Sequence, residues 1–324
     1  MQRQNGFSLI ELLVATAVVG LVSFYMLGGV IASNRAYSVV DQVAESQQGM
    51  RAIAELIERD LRHAGMMIPP AGAVCAVDNT GTPDVLYVSD AAAIDPGDDF
   101  ASYSGAQVAT ASNVTVPNDT LTVDSLIIEP APPTRAAYDN DGNGSLDTDF
   151  QVGGGAIVFD INNPDRGTAC GRVSAINPGA LTISIQFVTQ ALGTGTGAQL
   201  AVVPAHVYIV QNGDQLMRDG RLLSDGVDDI QFAFFFDVND NAVIDANEMQ
   251  GVSGANYVAQ DTDVEPLREV RLNLVMRTRM EDREFEGQEQ QWENRAGAPL
   301  TDGFRRRSYT SSVRLRNLVD RAGT

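Results

Sequence analysis

Oxygen-bearing side chains in residues 237–248 follow the spacing of a calcium-binding loop. Calcium takes about six to eight oxygen ligands, which EF-hand loops draw from positions 1, 3, 5, 7, 9 and 12. Counted from Asp237, these positions hold Asp237, Asn239, Asn241, the carbonyl of Val243, Asp245 and Glu248. Position 6 is Ala242 instead of glycine, and an L-residue in a left-handed turn costs about 1–2 kcal/mol. The spacing predicts a Ca²⁺ site, and the alternative is an Asp/Asn turn that binds no ion.

A second stretch, residues 139–147, has a weaker form of the same pattern. Its candidate ligands are Asp139, Asp141, Asn143, Ser145 and Asp147. Position 12 is Phe150, so the bidentate carboxylate of an EF-hand is missing. Neither stretch has convincing helices on both sides, so we expect isolated calcium loops between strands and no paired EF-hand.

Cys75 and Cys170 are the two cysteines of the chain. Two thiols exclude a cysteine-rich scaffold and a four-cysteine zinc site. In an oxidising compartment they would form a disulfide, which in the chain-entropy model contributes up to about 4–5 kcal/mol for so long a loop. The alternative is two thiols that are buried separately.

The sequence does not indicate an enzyme. There are two histidines, His63 and His206, and we expect both to be structural or solvated. A loose G-x-G-x-x-A match at residues 193–198 is followed by Ala-Val-Val-Pro where a nucleotide-binding helix would begin, so we interpret it as a turn. All 22 basic residues are Arg, which excludes catalysis by lysine.

The net charge of −20 makes a general nucleic-acid footprint improbable. Residues 65–267 hold five Arg against 27 acidic residues, so the acidity belongs to the middle of the chain. The run of Arg at 305–307 is short and close to Asp302. We interpret that run as the solvated start of a strand.

The N-terminus contains an apolar run, residues 7–32, in which Glu11 is the one charged residue. Residues 12–32 form an uncharged stretch of 21, enough to cross a bilayer as a helix. Arg3 precedes the run, which favours a cytoplasmic N-terminus and an exported body. Glu11 either reaches toward the head groups or is retained to meet a cation, such as the α-amino group created by a cut after Gly6.

The sequence Gly-Phe-Ser-Leu-Ile-Glu at residues 6–11, followed by about twenty apolar residues, resembles the prepilin signature of type IV pilins and type II secretion pseudopilins. The resemblance implies that prepilin peptidase cuts between Gly6 and Phe7 and that Phe7 becomes N-methylated. It also implies that Glu11 sets subunit register during assembly. Gly28 and Gly29 stand where many major pilins have a helix-breaking Pro.

Beyond the apolar run, residues at spacings of three and four form one apolar helical face: Met50, Ile53, Ala54, Ile57 and Leu61. Gly65 and then two prolines end the pattern. We therefore divide the chain into a leader (1–6), a transmembrane and filament-core helix (7–32), an amphipathic extension (33–65) and a β-rich body (66–324).

After residue 70 the pattern changes to strands, predicted at 85–88, 121–128, 156–159, 181–188, 230–236, 270–276 and 309–315. Residues 206–217 predict a hairpin around Asn212-Gly213. Residues 281–297 are charged and rich in Gln, so we interpret them as a solvent loop. The predicted fold class is α+β, with a long helix packed on an antiparallel sheet.

Three segments resemble the PilW family of minor pilins: residues 51–65, 222–232 and 309–317. This resemblance implies a subunit that helps prime or assemble a pilus, with a possible adhesive role at its tip and a part in twitching motility. The implied partners are other minor and major pilins, prepilin peptidase and the inner-membrane assembly platform. The implied location is the inner membrane, with a periplasmic body, and later the pilus surface. The alternative is a type II secretion pseudopilin that helps drive protein export.

Overall fold

The structure is a computed structural model that describes residues 8–66, 68–90, 106–109, 111–126, 148–188, 191–195, 198–282, 284–285, 287, 292–295 and 302–319. Gly6, Phe7 and the candidate loop at 139–147 lie outside these residues. The predicted α+β class is confirmed: a long helix is followed by antiparallel sheets.

The helix α1 spans Leu9–His63, 55 residues without a break. It runs through Gly28 and Gly29, so the predicted membrane segment and the predicted amphipathic extension form one element. The apolar face predicted for the extension is confirmed, because all five of its residues are at most 5% exposed. Gly65 follows the helix with φ +73°, a left-handed conformation that glycine adopts without strain.

Ten of the described strands form a large sheet. They are β1 (Val74–Val77), β2 (Val85–Val88), β3 (Ala106–Gln107), β4 (Asn118–Thr122), β5 (Gly155–Asp160), β6 (Thr168–Asn177), β7 (Thr182–Phe187), β8 (Leu200–Gln211), β9 (Gln215–Arg218) and β10 (Arg221–Ser224). The main order is β1-β2-β8-β5-β6-β7-β4, while β3 and β9 pair with β8, and β10 pairs with β9. Strand β8 is therefore the centre of this sheet.

A second sheet has the order β12-β11-β13-β14. Its strands are β11 (Val227–Phe236), β12 (Met249–Gln250), β13 (Leu267–Arg277) and β14 (Arg306–Arg314), and a short helix α2 (Arg316–Val319) follows. The pairing of β13 with β14 has an unbroken register from Glu269–Arg314 to Arg277–Arg306. The amphipathic half of α1 packs against β13 and β14.

The core consists of two hydrophobic clusters among the described residues. The larger one joins the buried face of α1 to both sheets through side chains such as Ile57, Tyr208 and Leu272. The smaller one lies on the opposite face of the large sheet and includes Leu121, Ile185 and Phe187. In the structure Cys75 of β1 and Cys170 of β6 are disulfide-bonded, with their Cα atoms 6.2 Å apart, inside the larger cluster.

The structure corrects three local predictions. The strand predicted at 121–128 begins earlier and ends at Thr122, because β4 pairs with β7 across residues that are polar and exposed on one side. His206 lies inside β8 instead of opening a strand. Arg306 is not a solvated strand start, since its side chain is 8% exposed and paired with Asp228 and Asp302.

The predicted solvent loop at 281–297 is also wrong in part. Arg271 donates two hydrogen bonds to the Glu293 carboxylate, from Nε to Oε1 at 2.6 Å and from Nη2 to Oε2 at 2.7 Å. Asn294 donates to both carboxylate oxygens of Asp78, and Arg295 forms an ion pair with Asp229. Glu293, Asn294 and Arg295 are thus paired with polar groups of the body, whereas their composition alone had suggested that they face solvent.

Candidate functional sites

The start of α1 is closed by a capping box. The Ser8 hydroxyl accepts a hydrogen bond from the Ile10 N–H at 3.3 Å, and the Glu11 carboxylate accepts one from the Ser8 N–H at 3.0 Å. Satisfying otherwise unpaired N–H groups stabilises the first turn. Glu11, the residue to which the prepilin resemblance gives a role in register, thus has a second role as a helix cap in the isolated subunit.

The first half of α1 is uncovered. Every residue of 9–38 in the structure is exposed, including large apolar side chains such as Phe24, Tyr25 and Ile31. Among the described residues α1 is the one helix long and apolar enough to cross a membrane. So large an apolar surface requires a covering of lipid or protein.

The second half of α1 is joined to the body by a buried polar cluster around Asp60, which is 1% exposed. Tyr208 of β8 donates to Asp60 at 2.5 Å, and Arg218 of β9 donates to the same carboxylate oxygen at 2.7 Å. Burial alone would raise the pKa of Asp60, but the hydrogen bond from Tyr208 and the charge of Arg218 outweigh it and lower that pKa. The carboxylate is therefore ionised and holds helix and sheet in one register.

Sequence reasoning missed this cluster, although a signal was present. Asp60 lies three residues after Ile57 and next to Leu61, on the stripe that the helical period assigns to the core. A carboxylate at such a position needs a buried partner. Further contacts follow the helix: Tyr309 donates to Glu58 at 3.0 Å, and Gln42 accepts from the Met280 N–H at 3.0 Å.

In the candidate calcium loop after β11, the first and last acidic residues accept hydrogen bonds from the loop's own backbone. The two oxygens of Asp237 accept from the N–H groups of Asn241 and Ala242, both at 3.0 Å. The two oxygens of Glu248 accept from the N–H groups of Val238 and Asp245, at 3.0 and 2.9 Å. Ala242 has φ +62°, the left-handed conformation that position 6 of such a loop adopts.

The ligands predicted for this loop differ in their exposure to solvent. No group of three or more His, Cys, Asp or Glu side chains among the described residues is arranged to hold a metal ion. Asn239, Asn241, Val243 and Asp245 are exposed, whereas Asp237 and Glu248 are buried. Calcium binding therefore stays a prediction from the loop's sequence.

His63 and His206 flank one buried carboxylate. Nδ1 of His63 and Nε2 of His206 each lie 4.0 Å from an oxygen of Asp90, which is fully buried. Nδ1 of His206 also lies 2.7 Å from Asp219 Oδ2. The hydrogen bond of His206 with Asp219 links β8 to the β9–β10 turn, and His63 lies near Asp90 at the end of α1.

Three neighbouring Asp side chains lie near the segment 293–295: Asp84 and Asp229 are buried, and Asp78 is half-buried. Burial raises the pKa of Asp78, Asp84 and Asp229, and it raises that of Asp84 to about 8. Asp84 accepts from the N–H groups of Asn79 and Phe232 at 2.8 and 2.9 Å. These carboxylates stabilise loops and strand ends of the body.

Comparison with known proteins gives two family matches. Residues 193–317 match the family described as type IV pilus-assembly protein W, PilW. Residues 1–26 match the prokaryotic N-terminal methylation motif. The first match covers β8 to α2, including β11, β13 and β14, and the second covers the start of α1.

Among solved structures, a type IV-like pilin from Thermus thermophilus is similar at 14% identity, over 52% of this chain and 88% of that one. Its TM-score of 0.23 is too low to support an argument about the fold. No curated protein sequence matches the chain. With a methylation motif at the start of α1 and the PilW match across the second sheet, the chain is similar at both ends to PilW-like type IV prepilins.

Proposed function

We propose that this protein is a minor type IV pilin that helps prime and assemble a pilus. The observation that carries the proposal is the combination of the methylation motif with the PilW match in one chain. In this proposal prepilin peptidase cuts between Gly6 and Phe7, and the new N-terminus is methylated. The subunit then enters the filament through α1.

The division of α1 into two halves supports this role. Its exposed first half projects about 40 Å from the body, at 1.5 Å per residue over residues 9–34. The first described contact with the body is the ion pair of Arg35 with Glu284, and the buried face begins at Gln42. A helix that is apolar and unpartnered over such a length can exchange lipid for neighbouring pilin helices without disturbing the body. The proposed partners are therefore other minor and major pilins, through α1, and the assembly platform of the inner membrane.

The proposed topology is a single pass with the N-terminus in the cytoplasm and the body in the periplasm, followed by exposure on the pilus. Arg3 before the apolar run supports that orientation. The disulfide between Cys75 and Cys170 supports an oxidising compartment for the body. A tip position, adhesion and a part in twitching motility belong to the same proposal, as does a structural, non-enzymatic role.

The test is a deletion strain, in which surface pili are counted by electron microscopy and exoprotein secretion is measured in the same culture. Loss of pili with normal secretion supports pilus priming. Normal pili with lost secretion would replace this proposal with the alternative, a type II secretion pseudopilin.

Complementation separates assembly from folding. Glu11→Ala is expected to insert into the membrane but to leave the deletion strain without pili, because the proposed register contact is lost. Glu45→Ala, at an exposed position on the body-packed half of α1, is the matched control and is expected to restore pili. If Glu11→Ala restores pili as well as Glu45→Ala does, the role assigned to Glu11 is wrong.

A further inference from the structure

Strand β14 forms one edge of the second sheet, because among the described residues it pairs with β13 alone. Two backbone hydrogen bonds just beyond the strand fix its orientation: Leu315 donates its N–H to Arg268 at 3.0 Å, and Thr278 donates to Arg305 at 2.9 Å. In an antiparallel pair, residues that exchange hydrogen bonds alternate with residues whose N–H and C=O groups point away from the partner strand. The odd-numbered residues of β14 therefore bond to β13. The even-numbered ones direct their backbone groups outward: Arg306, Ser308, Thr310, Ser312 and Arg314.

The outward backbone groups of β14 lack a partner in the part of the chain that the structure describes, apart from one carbonyl. That carbonyl belongs to Arg306, and Nη1 of Arg307 approaches it at 3.5 Å. Ser308, Thr310 and Ser312 are exposed. Such a row of free donors and acceptors is a template on which another extended strand forms backbone hydrogen bonds.

Strand β14 also lacks the features that commonly protect a sheet edge from pairing. Its nine residues include no proline, and its register against β13 has no bulge. Residues 308–313 are uncharged, so no charged side chain interrupts the centre of the edge. The opposite edge of the same sheet, β12, is two residues long, and a very short edge strand is itself a protection. The long, regular edge of β14 is thus the one that suits strand addition in this sheet.

Positive charge lies at both ends of this edge. Arg307 is exposed at one end, and Arg314 and Arg316 are exposed at the other. None of these three forms an ion pair with another residue among those that the structure describes. A strand with carboxylates near its ends would pair these charges. Two copies of β14 in full antiparallel overlap would instead bring Arg307 of one copy near Arg314 of the other, and like charges across strands are destabilising.

The free edge of β14 runs beside the packed half of α1. That half of α1 lies on β13 and β14, and the Tyr309 hydroxyl of β14 donates to Glu58 of α1 at 3.0 Å. A chain that packs along this side of α1 therefore lies next to the edge of β14 as well.

We propose that β14 accepts an extended strand from a different pilin subunit, which continues the second sheet by backbone hydrogen bonds. The docked strand is uncharged at its centre and has carboxylates near its ends, where they meet Arg307 on one side and Arg314 and Arg316 on the other. The backbone groups supply the attraction, and the arginines select the partner and its register. This inference rests on the proposed function for the kind of partner and names the surface that such a partner contacts.

The test uses the full chain in detergent, with a dye-labelled synthetic peptide of about seven residues, Asp-Thr-Val-Thr-Val-Thr-Asp, as the probe. Binding is measured by fluorescence anisotropy, and exchange of the backbone amides is measured by NMR. We expect the peptide to slow exchange at Ser308, Thr310 and Ser312, and to leave Tyr309 and Ser311, which already bond to β13, unchanged.

Three results would overturn the docking contact as it is proposed. The first is absence of peptide binding, and the second is binding that leaves the outward amides of β14 unprotected. The third is protection of the same amides that appears without peptide as the protein concentration is raised, because the occupant is then a second copy of this chain.

Ser312→Pro tests the backbone contact, since it removes an outward N–H and no hydrogen bond to β13. It is expected to weaken peptide binding at least about fivefold, the value of one hydrogen bond. Ser312→Ala keeps the N–H and is expected to bind the peptide as the natural chain does. Equal binding by the two variants would show that this N–H does not take part.

A charge reversal tests the choice of partner. Arg314→Glu is expected to weaken binding of the acidic peptide, whereas Arg221→Glu, at an exposed position on β10, leaves it unchanged. If Arg314→Glu has no more effect than Arg221→Glu, the charge selection assigned to Arg314 is wrong.

Expression in the deletion strain separates this contact from the proposed function. With equal amounts of each chain in the membrane, Ser312→Ala is expected to restore pili and Ser312→Pro is not. If both restore pili, assembly does not use the strand contact, while the proposed function stands. Normal pili in the deletion strain itself would overturn the proposed function and, with it, a pilin as the partner.

Discussion

Among the described residues, Asp60 is the single residue of α1 that accepts hydrogen bonds from two strands of the large sheet. Its oxygens meet Tyr208, Arg218 and, at 3.2 Å, Arg59. Removing the Asp60 side chain would leave the buried hydroxyl of Tyr208 and the half-buried guanidinium of Arg218 without this acceptor. Leaving a buried polar group unpaired lowers the free energy of unfolding by more than the original hydrogen bond contributed to it.

Asp60→Ala is therefore expected to lower the free energy of unfolding by about 3 kcal/mol, a value typical of breaking a buried ion pair from one side. Tyr208→Phe, which leaves the ion pair with Arg218 in place, is expected to cost about 1–2 kcal/mol. The measurement is urea unfolding of the full chain in detergent. Equal losses for Asp60→Ala and for Asp225→Ala, an exposed acid on the body, would contradict this account.

Asp84 gives the body a pH dependence of the opposite sign from that of an acid whose pKa is lowered by folding, such as Asp60. Burial raises its pKa from 3.8 to about 8, so its neutral form is favoured in the folded state. The stability that it contributes is fully present below about pH 4 and is lost as the pH rises toward 8. The slope for one such group is at most about 1.4 kcal/mol per pH unit.

Asp84→Asn is expected to remove this dependence, because an amide does not ionise. The stability of the natural chain, measured relative to that of the variant, should fall between pH 5 and pH 8. The amide has one acceptor where Asp84 meets two N–H groups, so the variant is expected to be the less stable chain at pH 5. A difference that stays constant over this range would show that Asp84 does not titrate there.

In the loop between β11 and β12, the sequence predicts calcium ligands, and the structure shows two of these carboxylates in hydrogen bonds within the loop. The spacing of oxygen ligands predicted calcium, while the geometry shows Asp237 and Glu248 engaged with the loop's own N–H groups. Such bonds leave further lone pairs on each carboxylate, so they hold the loop in shape without excluding an ion.

Calcium is accordingly expected to raise the melting temperature of the full chain in detergent, compared with the same chain in chelator. At a calcium concentration of ten times Kd, the free energy of unfolding should rise by about 1.4 kcal/mol. Asp237→Asn keeps an acceptor for the loop but removes the charge, so it is expected to reduce the shift. Asp225→Asn, an exposed acid outside the loop, should leave the shift intact. If calcium stabilises Asp237→Asn as much as Asp225→Asn, the ion binds elsewhere in the chain.

The molecule as a whole is an exposed helical stem joined to a body with two sheets. The disulfide between Cys75 and Cys170 links β1, at one end of the main strand order, to β6 near the other. Its two cysteines are separated by 95 residues, so the bond closes a long loop in the unfolded chain. Long closed loops have much less conformational entropy than open ones.

Cys75→Ala together with Cys170→Ala is expected to destabilise the body by up to about 4–5 kcal/mol, the value of the chain-entropy model for a loop of this length. The measurement is urea unfolding of the oxidised full chain. Reduction of the natural protein should reproduce the loss, apart from the packing change caused by the smaller side chains. Reduction should leave the stability of the double variant unchanged, and an effect on that variant would point to a cause other than the disulfide.

Local patterns determined the features of this protein that depend on neighbours in sequence. The 3.6-residue period placed Ile53, Ile57 and Leu61 on a buried face, and the apolar run together with the glutamate at position 11 indicated a prepilin. Runs rich in β-branched residues placed β2, β5 and β7 close to their observed bounds, and apolar alternation placed β13. Each of these signals is local, so one sequence displays it directly.

The tertiary structure alone decided which distant polar groups meet. It joined Asp60 to Tyr208 and Arg218, 148 and 158 residues away, and it placed Glu293 and Arg295 of a supposed solvent loop on the sheet. It also brought the loop after β13 beside Arg35 and Gln42 of α1. A charged residue in a sequence is equally compatible with water and with a buried partner, because the pairing depends on strand order and helix placement.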